Sequence, residues 1–407
     1  MKKLSVVYSG WGERFGLGQL ADDGRDLLFE YSTAALDRGL QLSPFKLPLG
    51  TATFGDFPAY QLRLPGLVSD ALPDGWGMLL MDRLFRRQGL APERLSPLDR
   101  LAFIGEKAMG ALAFEPASGD ELAPQDVELL TIAREIRQVM EVGSEALLRE
   151  LALMGGSPHG ARPKVLVNYD PATDRMSNTE VGAGTPWLVK FPAQHEQKEV
   201  CAVEAMYGSI AAACGLRIPV TRYFDLGTSL SAFGIERFDR SGGMRIPMHT
   251  AAGVAHTDFR VPQMDYVTLL RLTQFMTRDA REVQQAFERC VFNVVFNNRD
   301  DHSKNFSFLM APDGRWTFSP AYDLTFNPGP GGEHQMDICG EARAPARAHL
   351  MKLASMTGIA AQAAARSIER IASIASGFRR FAYDLPIAAA TLDEMEKTVL
   401  ANQARMA

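Results

Sequence analysis

The segment that most constrains this chain is Arg-Asp-Asp-His-Ser-Lys-Asn at residues 299–305. Asp300 and Asn305 are separated by four residues, the spacing at which one short loop presents a catalytic base and a magnesium ligand in kinases. Two strand-like runs follow, joined by the turn Ala311–Gly314, and its Pro-Asp-Gly triplet predicts a hairpin. That hairpin would return the chain at Asp323 beside Asn305, where carboxylate and amide oxygens can share a hard cation. The pattern predicts a phosphoryl-transfer site.

The surroundings of this loop strengthen the prediction, because the D-x-x-x-x-N spacing alone occurs by chance in many proteins. Apolar residues recur at helical spacing from Phe287 to Val295, so a helix is expected to end at the loop. His302 is expected to hold the loop rather than to act as a nucleophile or metal ligand, because no other His or Cys lies at ligand spacing. A metal-dependent nuclease with Asp300, Asp301, His302 and Asp323 in a two-metal site is an alternative.

Composition indicates a globular protein with two or three packed units: 407 residues, 46% hydrophobic and 22% charged. No run approaches eighteen apolar residues, and the amino terminus alternates like a strand, so we expect no membrane span or signal peptide and a cytoplasmic location. A net charge of -5 gives no overall basic face for nucleic acid. The four cysteines are scattered and are expected to be free, buried thiols.

We expect three parts, residues 1–115, 116–240 and 241–407. The first would hold small β elements, among them strand-like runs at 44–49 and 59–65, and a helix opened by Pro73 and Asp74. Helical spacing from 126 to 154 opens the second part, and the third is expected to be largely helical.

The second part carries candidate nucleotide contacts. A Gly-rich turn at 155–164 precedes a strand and could offer backbone N–H groups to phosphates, although such a turn is also common in ordinary loops. Lys190 interrupts an apolar strand, and Glu204 lies on the next predicted helix; the pair resembles the kinase arrangement, and the alternative is a surface lysine on an edge strand. The polar segment between them, Ala193–Glu199, is a candidate mobile activation loop. A strand at 231–240 would end at a hinge.

Five motifs, in order, resemble those of the HipA-type serine/threonine kinases, the toxin halves of bacterial toxin–antitoxin pairs. They lie at residues 72–77, 160–164, 235–240, 299–307 and 321–325. The resemblance spans nearly the whole chain, apart from a departure at 246–253. It implies an α+β, two-lobed phosphatidylinositol-kinase-like (HipA-like) kinase fold with a small β-rich N-terminal subdomain, an ATP-binding N lobe and an all-helical C-terminal lobe.

The same resemblance implies roles for particular residues. Asp300 would be the catalytic base, Asn305 and Asp323 would hold Mg²⁺, and Ser157 would be the autophosphorylation site whose modification expels the loop and inactivates the kinase. The implied nucleotide-binding residues are His159, Gly160, Ala161, Arg162, Pro163, Lys164, Lys190, Glu236, Arg237, Phe238, His302, Ser303, Lys304, Asn305, Tyr322 and Asp323.

The resemblance also implies ATP and Mg²⁺ as cofactors, a protein substrate such as an aminoacyl-tRNA synthetase, and growth arrest. A HipB-like helix-turn-helix antitoxin would be the partner, and DNA would be contacted only through it. A second hypothesis is a regulator that works mainly by docking on such an antitoxin, with catalysis secondary or lost; the acidic charge of this chain suits that role.

Overall fold

The computed structural model of the chain describes residues 1–118, 125–142, 145–179 and 184–407. Two compact units are formed by segments that alternate along the chain. The first contains residues 1–198, 222–249 and 310–314, and the second contains 199–221, 250–309 and 315–407. The expected boundaries at 115 and 240 stay a prediction, and residues 119–124, next to the first of them, lie outside the described residues.

An antiparallel four-stranded sheet in the order β3-β2-β1-β4 begins the first unit. Burial alternates along β3, which places one face of the sheet in the core. The expected strands at 44–49 and 59–65 are wrong: these residues form turns and one 3₁₀ turn, and their prolines cannot donate to a strand ladder. The elements are β1 (Lys2–Gly10), β2 (Glu13–Asp22), β3 (Leu27–Tyr31), α1 (Thr33–Arg38), α2 (Gly66–Ser69), α3 (Gly75–Arg87), α4 (Pro97–Ile104) and β4 (Leu112–Glu115).

A second sheet of the first unit has the order β5-β7-β6-β8-β10-β9. Tyr169, Trp187 and Phe224 meet edge to face on one side of it, at centroid distances of 5.2 and 5.5 Å from the Tyr169 ring. The expected strands before Lys190 and before the hinge are present as β8 and β10. The elements are β5 (Asp126–Val127), α5 (Leu129–Val142), α6 (Glu145–Gly155), β6 (Lys164–Asp170), β7 (Arg175–Ser177), β8 (Thr185–Lys190), β9 (Thr221–Asp225), β10 (Ser231–Glu236), β11 (Arg240–Ser241), β12 (Met244–Arg245) and β13 (Met248–Thr250).

The second unit is helical apart from one hairpin. Its central helix, α10, buries nearly every residue from Ala286 to Val295 and ends just before the loop 299–305, as predicted. The third part is largely helical, as expected. Its helices α9 and α10 are separated at Arg278, whose left-handed φ of 54° ends α9, and Asp279 then caps α10. The elements are α7 (Glu199–Ala213), α8 (Ala251–Ala255), α9 (Tyr266–Thr277), α10 (Ala280–Val295), β14 (Ser307–Met310), β15 (Trp316–Phe318), α11 (Arg347–Met356), α12 (Ala361–Ala375) and α13 (Ala389–Ala404).

Cys201, Cys214 and Cys290 are buried thiols, and the fourth cysteine, Cys339, is free and partly exposed. Burial raises the pKa of the Cys214 thiol to about 12, which keeps it protonated and inert. Within the described residues, none of the helices is both long and apolar enough to cross a bilayer.

Three buried polar side chains join distant segments of the first unit. His249 lies 2.6 Å through Nδ1 from the Asp70 carboxylate and 2.9 Å through Nε2 from the Ser43 hydroxyl. Ser43 and His249 have no solvent exposure. These hydrogen bonds among Asp70, His249 and Ser43 therefore connect the loop before α2, the end of α2 and β13.

Candidate active site

The loop 299–305, here called the catalytic loop, connects α10 to β14. Asp300 leaves 47% of its side chain exposed. The Asn305 Nδ2 donates to the Asp300 carbonyl oxygen at 2.7 Å, which orients the amide so that Oδ1 is the atom left to accept from or coordinate another group. Residues 303–305 form a 3₁₀ turn closed by the Asn305 N–H and the His302 carbonyl at 2.9 Å. One side chain of the loop therefore fixes its backbone and presents an amide oxygen.

Asp301 has the opposite environment to its neighbour Asp300, because its side chain is completely buried. Its carboxylate accepts from the Tyr266 hydroxyl at 2.7 Å and the Gln335 N–H at 2.8 Å, and lies 2.8 Å from His334 Nδ1. The Tyr266 hydroxyl in turn accepts from Asn293 on α10 at 2.9 Å. Burial, together with Asp301, raises the Tyr266 pKa well above its ordinary value. Asp301 therefore attaches the catalytic loop to α9 and to the segment 334–335.

The hairpin β14–β15 returns the chain to the catalytic loop, as predicted. Its strands pair, and Ser319 N–H donates to the Ser307 carbonyl at 2.8 Å. The Tyr322 hydroxyl donates to the Lys304 carbonyl at 2.7 Å and lies 2.6 Å from the Ser307 hydroxyl. Asp323 follows with φ of 57°, a left-handed conformation that aspartate tolerates better than most residues and that is concentrated at functional sites.

The remaining catalytic-loop side chains pack on the segment after α8. The Phe259 ring lies 5.3 Å from the His302 ring and 4.3 Å from the Lys304 Nζ. Thr257 Oγ1 lies 3.3 Å from Ser303 Oγ. His302 Nε2 is 3.9 Å from the nearest Asp300 carboxylate oxygen, too far for a hydrogen bond. These contacts agree with a holding role for His302.

The loop 156–163, here called the nucleotide loop, lies in the first unit between α6 and β6. Ser157 is fully buried, and its hydroxyl accepts from the Met109 N–H at 2.7 Å. Gly160 donates its N–H to the Asp74 carboxylate and accepts from the Trp76 N–H. Lys164, 3% exposed, donates to the His159 carbonyl. The loop is thus held by residues that precede it and by Lys164, which follows it.

Two further predicted residues of the first unit, Lys190 and Arg162, lie beside or within this loop. Lys190 ends β8 at 6% exposure and pairs in register with Lys164 on β6, so both lysines project from the same face of the sheet. Arg162 forms an ion pair with Glu196, which also accepts from the Ala193 N–H at 2.9 Å. The candidate activation loop is therefore attached to the nucleotide loop through Arg162. Glu204 is buried on α7 of the second unit, and its proposed pairing with Lys190 stays a prediction.

At the expected hinge, the side chain of Arg237 has a structural role. Its guanidinium makes two 2.9 Å bonds to Asp239, which also accepts from Arg240 at 2.9 Å and from the Gly110 N–H at 2.8 Å. The Arg237 N–H donates to the Pro186 carbonyl. Burial raises the pKa of the Asp239 carboxyl, but the two guanidiniums outweigh it and hold that pKa well below its usual range. Glu236 and Phe238, both partly exposed, flank this cluster.

A cavity of about 400 Å³ lies beside the Asp239 cluster within the first unit. Leu153, Met154, Leu166 and Val167 supply its apolar wall, and its polar lining includes the Arg237 side chain. Its size is that of a small-molecule pocket.

The residues fit a magnesium site that a nucleotide completes. Asn305 presents its amide oxygen, and Asp323 supplies a carboxylate after the return of the hairpin; oxygen donors of this kind suit Mg²⁺, which takes its remaining ligands from phosphates and water. Within the described ranges, no group of three or more His, Cys, Asp or Glu side chains is arranged to hold a metal by itself.

Three features could not be predicted from the sequence: the partners of Asp301 in the catalytic loop, the contacts that hold Gly160 in the nucleotide loop, and the Asp239 cluster at the hinge. Asp301 meets His334 and Gln335 across more than thirty residues, and Asp74 meets Gly160 across 86. No local pattern marks such pairs. The second arginine of the segment 237–240 was the one visible signal, because two arginines flanking an aspartate in a mostly apolar strand indicate a buried ion cluster.

Two family models match this chain. One is described as the HipA N-terminal domain and matches residues 11–115, and the other is described as the HipA-like C-terminal domain and matches residues 156–378. The second match contains both the nucleotide loop and the catalytic loop.

Similar proteins include two from Sinorhizobium fredii (strain NBRC 101917 / NGR234). The putative kinase Y4dM is 28% identical over 344 residues, covering 80% of this chain and 78% of the relative. The putative kinase Y4mE is 26% identical over 351 residues, covering 78% and 76%. Among solved structures, a chain of the Shewanella oneidensis MR-1 toxin–antitoxin complex of HipA, HipB and operator DNA matches with a TM-score of 0.73 and 19% identity, over 99% of this chain and 97% of that one. The overall fold is therefore shared.

Proposed function

The chain belongs to the HipA family, and on that basis we propose that it is a serine/threonine protein kinase that transfers the γ-phosphate of ATP to a protein hydroxyl. The observation that carries this proposal is the Asn305 side chain, whose Nδ2 donates to the Asp300 carbonyl so that its amide oxygen is the atom left to coordinate another group. A loop that offers a half-exposed carboxylate and an oriented amide oxygen, with an aspartate after the hairpin, has the parts that phosphoryl transfer requires.

Each residue then has a defined task. Asp300 orients the acceptor hydroxyl and takes its proton. Asn305 and Asp323 hold magnesium, which when bound offsets the charge of the nucleotide phosphates. Lys190 and the nucleotide loop contact the phosphates. We assign adenine recognition to the backbone and ring at Glu236–Phe238, with the Arg237 side chain stabilising the hinge through Asp239.

The environment of Asp301 counts against the nuclease alternative. A two-metal site would need Asp301 as a ligand, yet its carboxylate is fully buried among three partners. Displacing them would leave buried donors without acceptors, at a cost of roughly 1–3 kcal/mol each.

Regulation in this proposal involves Ser157. Its hydroxyl is buried and bonded to the Met109 N–H, so phosphorylation requires the nucleotide loop to leave the position seen here. A phosphate of charge near -2 could not return to that buried site, which would keep the kinase inactive.

The proposed biological setting is that of a toxin–antitoxin pair. The relatives named as putative kinases and the structural neighbour solved with HipB and operator DNA support it. We propose a HipB-like antitoxin as the partner that contacts DNA, a cytoplasmic location, and growth arrest through phosphorylation of a translation factor such as an aminoacyl-tRNA synthetase. The competing role is antitoxin docking without catalysis.

The test is incubation of dephosphorylated wild-type protein with Mg²⁺ and labelled ATP, followed by phosphosite mapping. Asp300→Asn is the inactive variant, and Asp384→Asn, at an exposed aspartate, is the matched control. We expect labelled Ser157 in wild type and control and none in Asp300→Asn. Absence of label in all three proteins, together with antitoxin binding unaffected by Asp300→Asn, would support the docking role instead.

A further inference from the structure

The start of α3 holds one residue of the nucleotide loop, Gly160, through both its N–H and its carbonyl. The Gly160 N–H donates to the Asp74 carboxylate, and the Gly160 carbonyl accepts from the Trp76 N–H at 3.1 Å. Both polar backbone groups of Gly160 are therefore bonded by two residues, Asp74 and Trp76, about 85 positions earlier in the chain.

Asp74 accepts a hydrogen bond from Gly160, although its position at the start of α3 predicts a hydrogen bond to the backbone of its own helix. It is the N-cap residue of a 13-residue helix, a position at which an aspartate normally accepts from its own helix, yet its side chain makes no capping bond there. The Trp76 N–H, one of the donors that a helix leaves unpaired in its first turn, is likewise used by Gly160. A departure from the local rule with a specific partner is typical of a functional position.

The backbone of α3 approaches the nucleotide loop so closely that only glycine fits. Gly75 has φ of 44°, and a Cβ at this position would lie 2.5 Å from the Gly160 oxygen and 2.9 Å from the Ala161 Cα. Gly156, at the other end of the loop, has φ of 55°, and a Cβ there would lie 2.7 Å from the Leu166 Cδ1. The Gly75 contacts are with the backbone of the loop, so a side-chain rotation cannot relieve them.

We propose that Asp74, Gly75 and Trp76 are positioning residues that preform the nucleotide loop for the phosphates of ATP. This inference rests on the proposed kinase function. Because both backbone groups of Gly160 are bonded, the two peptide planes that they belong to cannot reorient, and the N–H of Ala161 is set before a nucleotide arrives. A loop that is already ordered binds with less loss of conformational entropy than one that must order on binding.

The first test measures binding of a non-hydrolysable ATP analogue with Mg²⁺ by calorimetry, in Asp300→Asn protein so that no phosphate is transferred. Gly75→Ala places a methyl group against Gly160, Asp74→Ala removes the acceptor, and Asp74→Asn keeps an acceptor oxygen without the charge. Gly16→Ala is the matched glycine control, because Gly16 is exposed and nothing lies within 4 Å of an added Cβ. We expect Gly75→Ala and Asp74→Ala to weaken binding about tenfold or more, which is about 1.4 kcal/mol. Asp74→Asn should lose less, and Gly16→Ala nothing.

Kinetics separate positioning from general damage to the fold. In proteins that keep Asp300, the variants should raise the KM for ATP with kcat within about twofold of wild type, because saturating nucleotide restores the loop. Equal losses in kcat and in melting temperature would indicate a structural role only and would overturn the proposal. So would tighter nucleotide binding in Asp74→Ala, which would mean that the carboxylate competes with phosphate.

Amide hydrogen exchange of the nucleotide loop, measured without nucleotide, tests the contacts of Gly160 independently of the proposed kinase function. Faster exchange of the Gly160 amide in Asp74→Ala and Gly75→Ala than in Gly16→Ala would show that the start of α3 holds Gly160 in place. This result would stand even if the wild-type protein failed to bind the analogue. In that case, the kinase function and the role in ATP binding would both be rejected. An unchanged exchange rate of the Gly160 amide in folded variants would show that the start of α3 does not hold this residue in place.

Discussion

At the residue scale, the two adjacent aspartates of the catalytic loop differ completely in environment. Asp300 is half exposed, whereas Asp301 is buried among Tyr266, His334 and Gln335. The D-x-x-x-x-N spacing singled out Asp300 from sequence alone. Nothing local distinguishes the role of Asp301, because all three of its partners come from more than thirty residues away in the chain.

Because their environments differ, replacing Asp300 and replacing Asp301 by alanine should have different effects on the free energy of unfolding. Asp300→Ala should abolish phosphoryl transfer and change the free energy of unfolding by less than about 0.5 kcal/mol, as expected for an exposed position. Asp301→Ala should lower it by about 3–5 kcal/mol, because buried donors lose a charged acceptor. Urea denaturation followed by circular dichroism measures both. Equal destabilisation by the two substitutions would contradict the anchoring role of Asp301.

At the scale of elements, motifs with local chemistry were predictable and elements set by distant partners were not. The helix that ends at the catalytic loop, the hairpin β14–β15 and the strand bearing Lys190 were all visible in the sequence as periodicity and turn residues. The runs at 44–49 and 59–65 alternate like strands, but their prolines prevent strand pairing. Alternation alone cannot reveal whether a neighbouring strand exists.

The ion cluster that follows β10 predicts how the stability of the protein depends on pH. In the folded protein, Arg237 and Arg240 hold the pKa of Asp239 below its ordinary value, which is about 3.9 in unfolded chains. Asp239 therefore stabilises the fold fully above the unfolded pKa, and this contribution falls as the pH drops below it and the unfolded chain takes up a proton. We expect Asp239→Asn to be less stable than wild type at pH 7 and the difference to shrink steadily below about pH 4. Denaturant midpoints across pH 2–8 check this, and a constant difference would contradict it.

At the scale of the whole molecule, the two compact units are not continuous stretches of the sequence. Residues 199–221 belong to the second unit although the chain on both sides of them belongs to the first. A composition shift can mark where a segment starts, but it carries no information about which core the segment joins, because that depends on contacts between distant parts of the chain. The boundaries expected at 115 and 240 follow the chain linearly, and they stay a prediction.

Ligand binding should stabilise the whole molecule in a magnesium-dependent manner. A non-hydrolysable ATP analogue at 100 times its Kd contributes about 2.7 kcal/mol to the folded state, so Tm should rise. In Asp323→Asn the additional rise that Mg²⁺ gives should be lost, whereas Asp300→Asn should keep it, because Asp300 is assigned to the acceptor hydroxyl. Thermal unfolding with and without EDTA measures this. A full magnesium effect in Asp323→Asn would remove Asp323 from the metal site.

The buried chain Asp70–His249–Ser43 has a consequence for template searches. Its order and distances match those by which serine hydrolases are recognised, so a search that uses geometry alone would classify this chain as an esterase or protease. Ser43 has no exposed surface, and an acyl group could not reach it. Geometric templates for catalytic triads therefore need a solvent-access criterion before they assign a reaction.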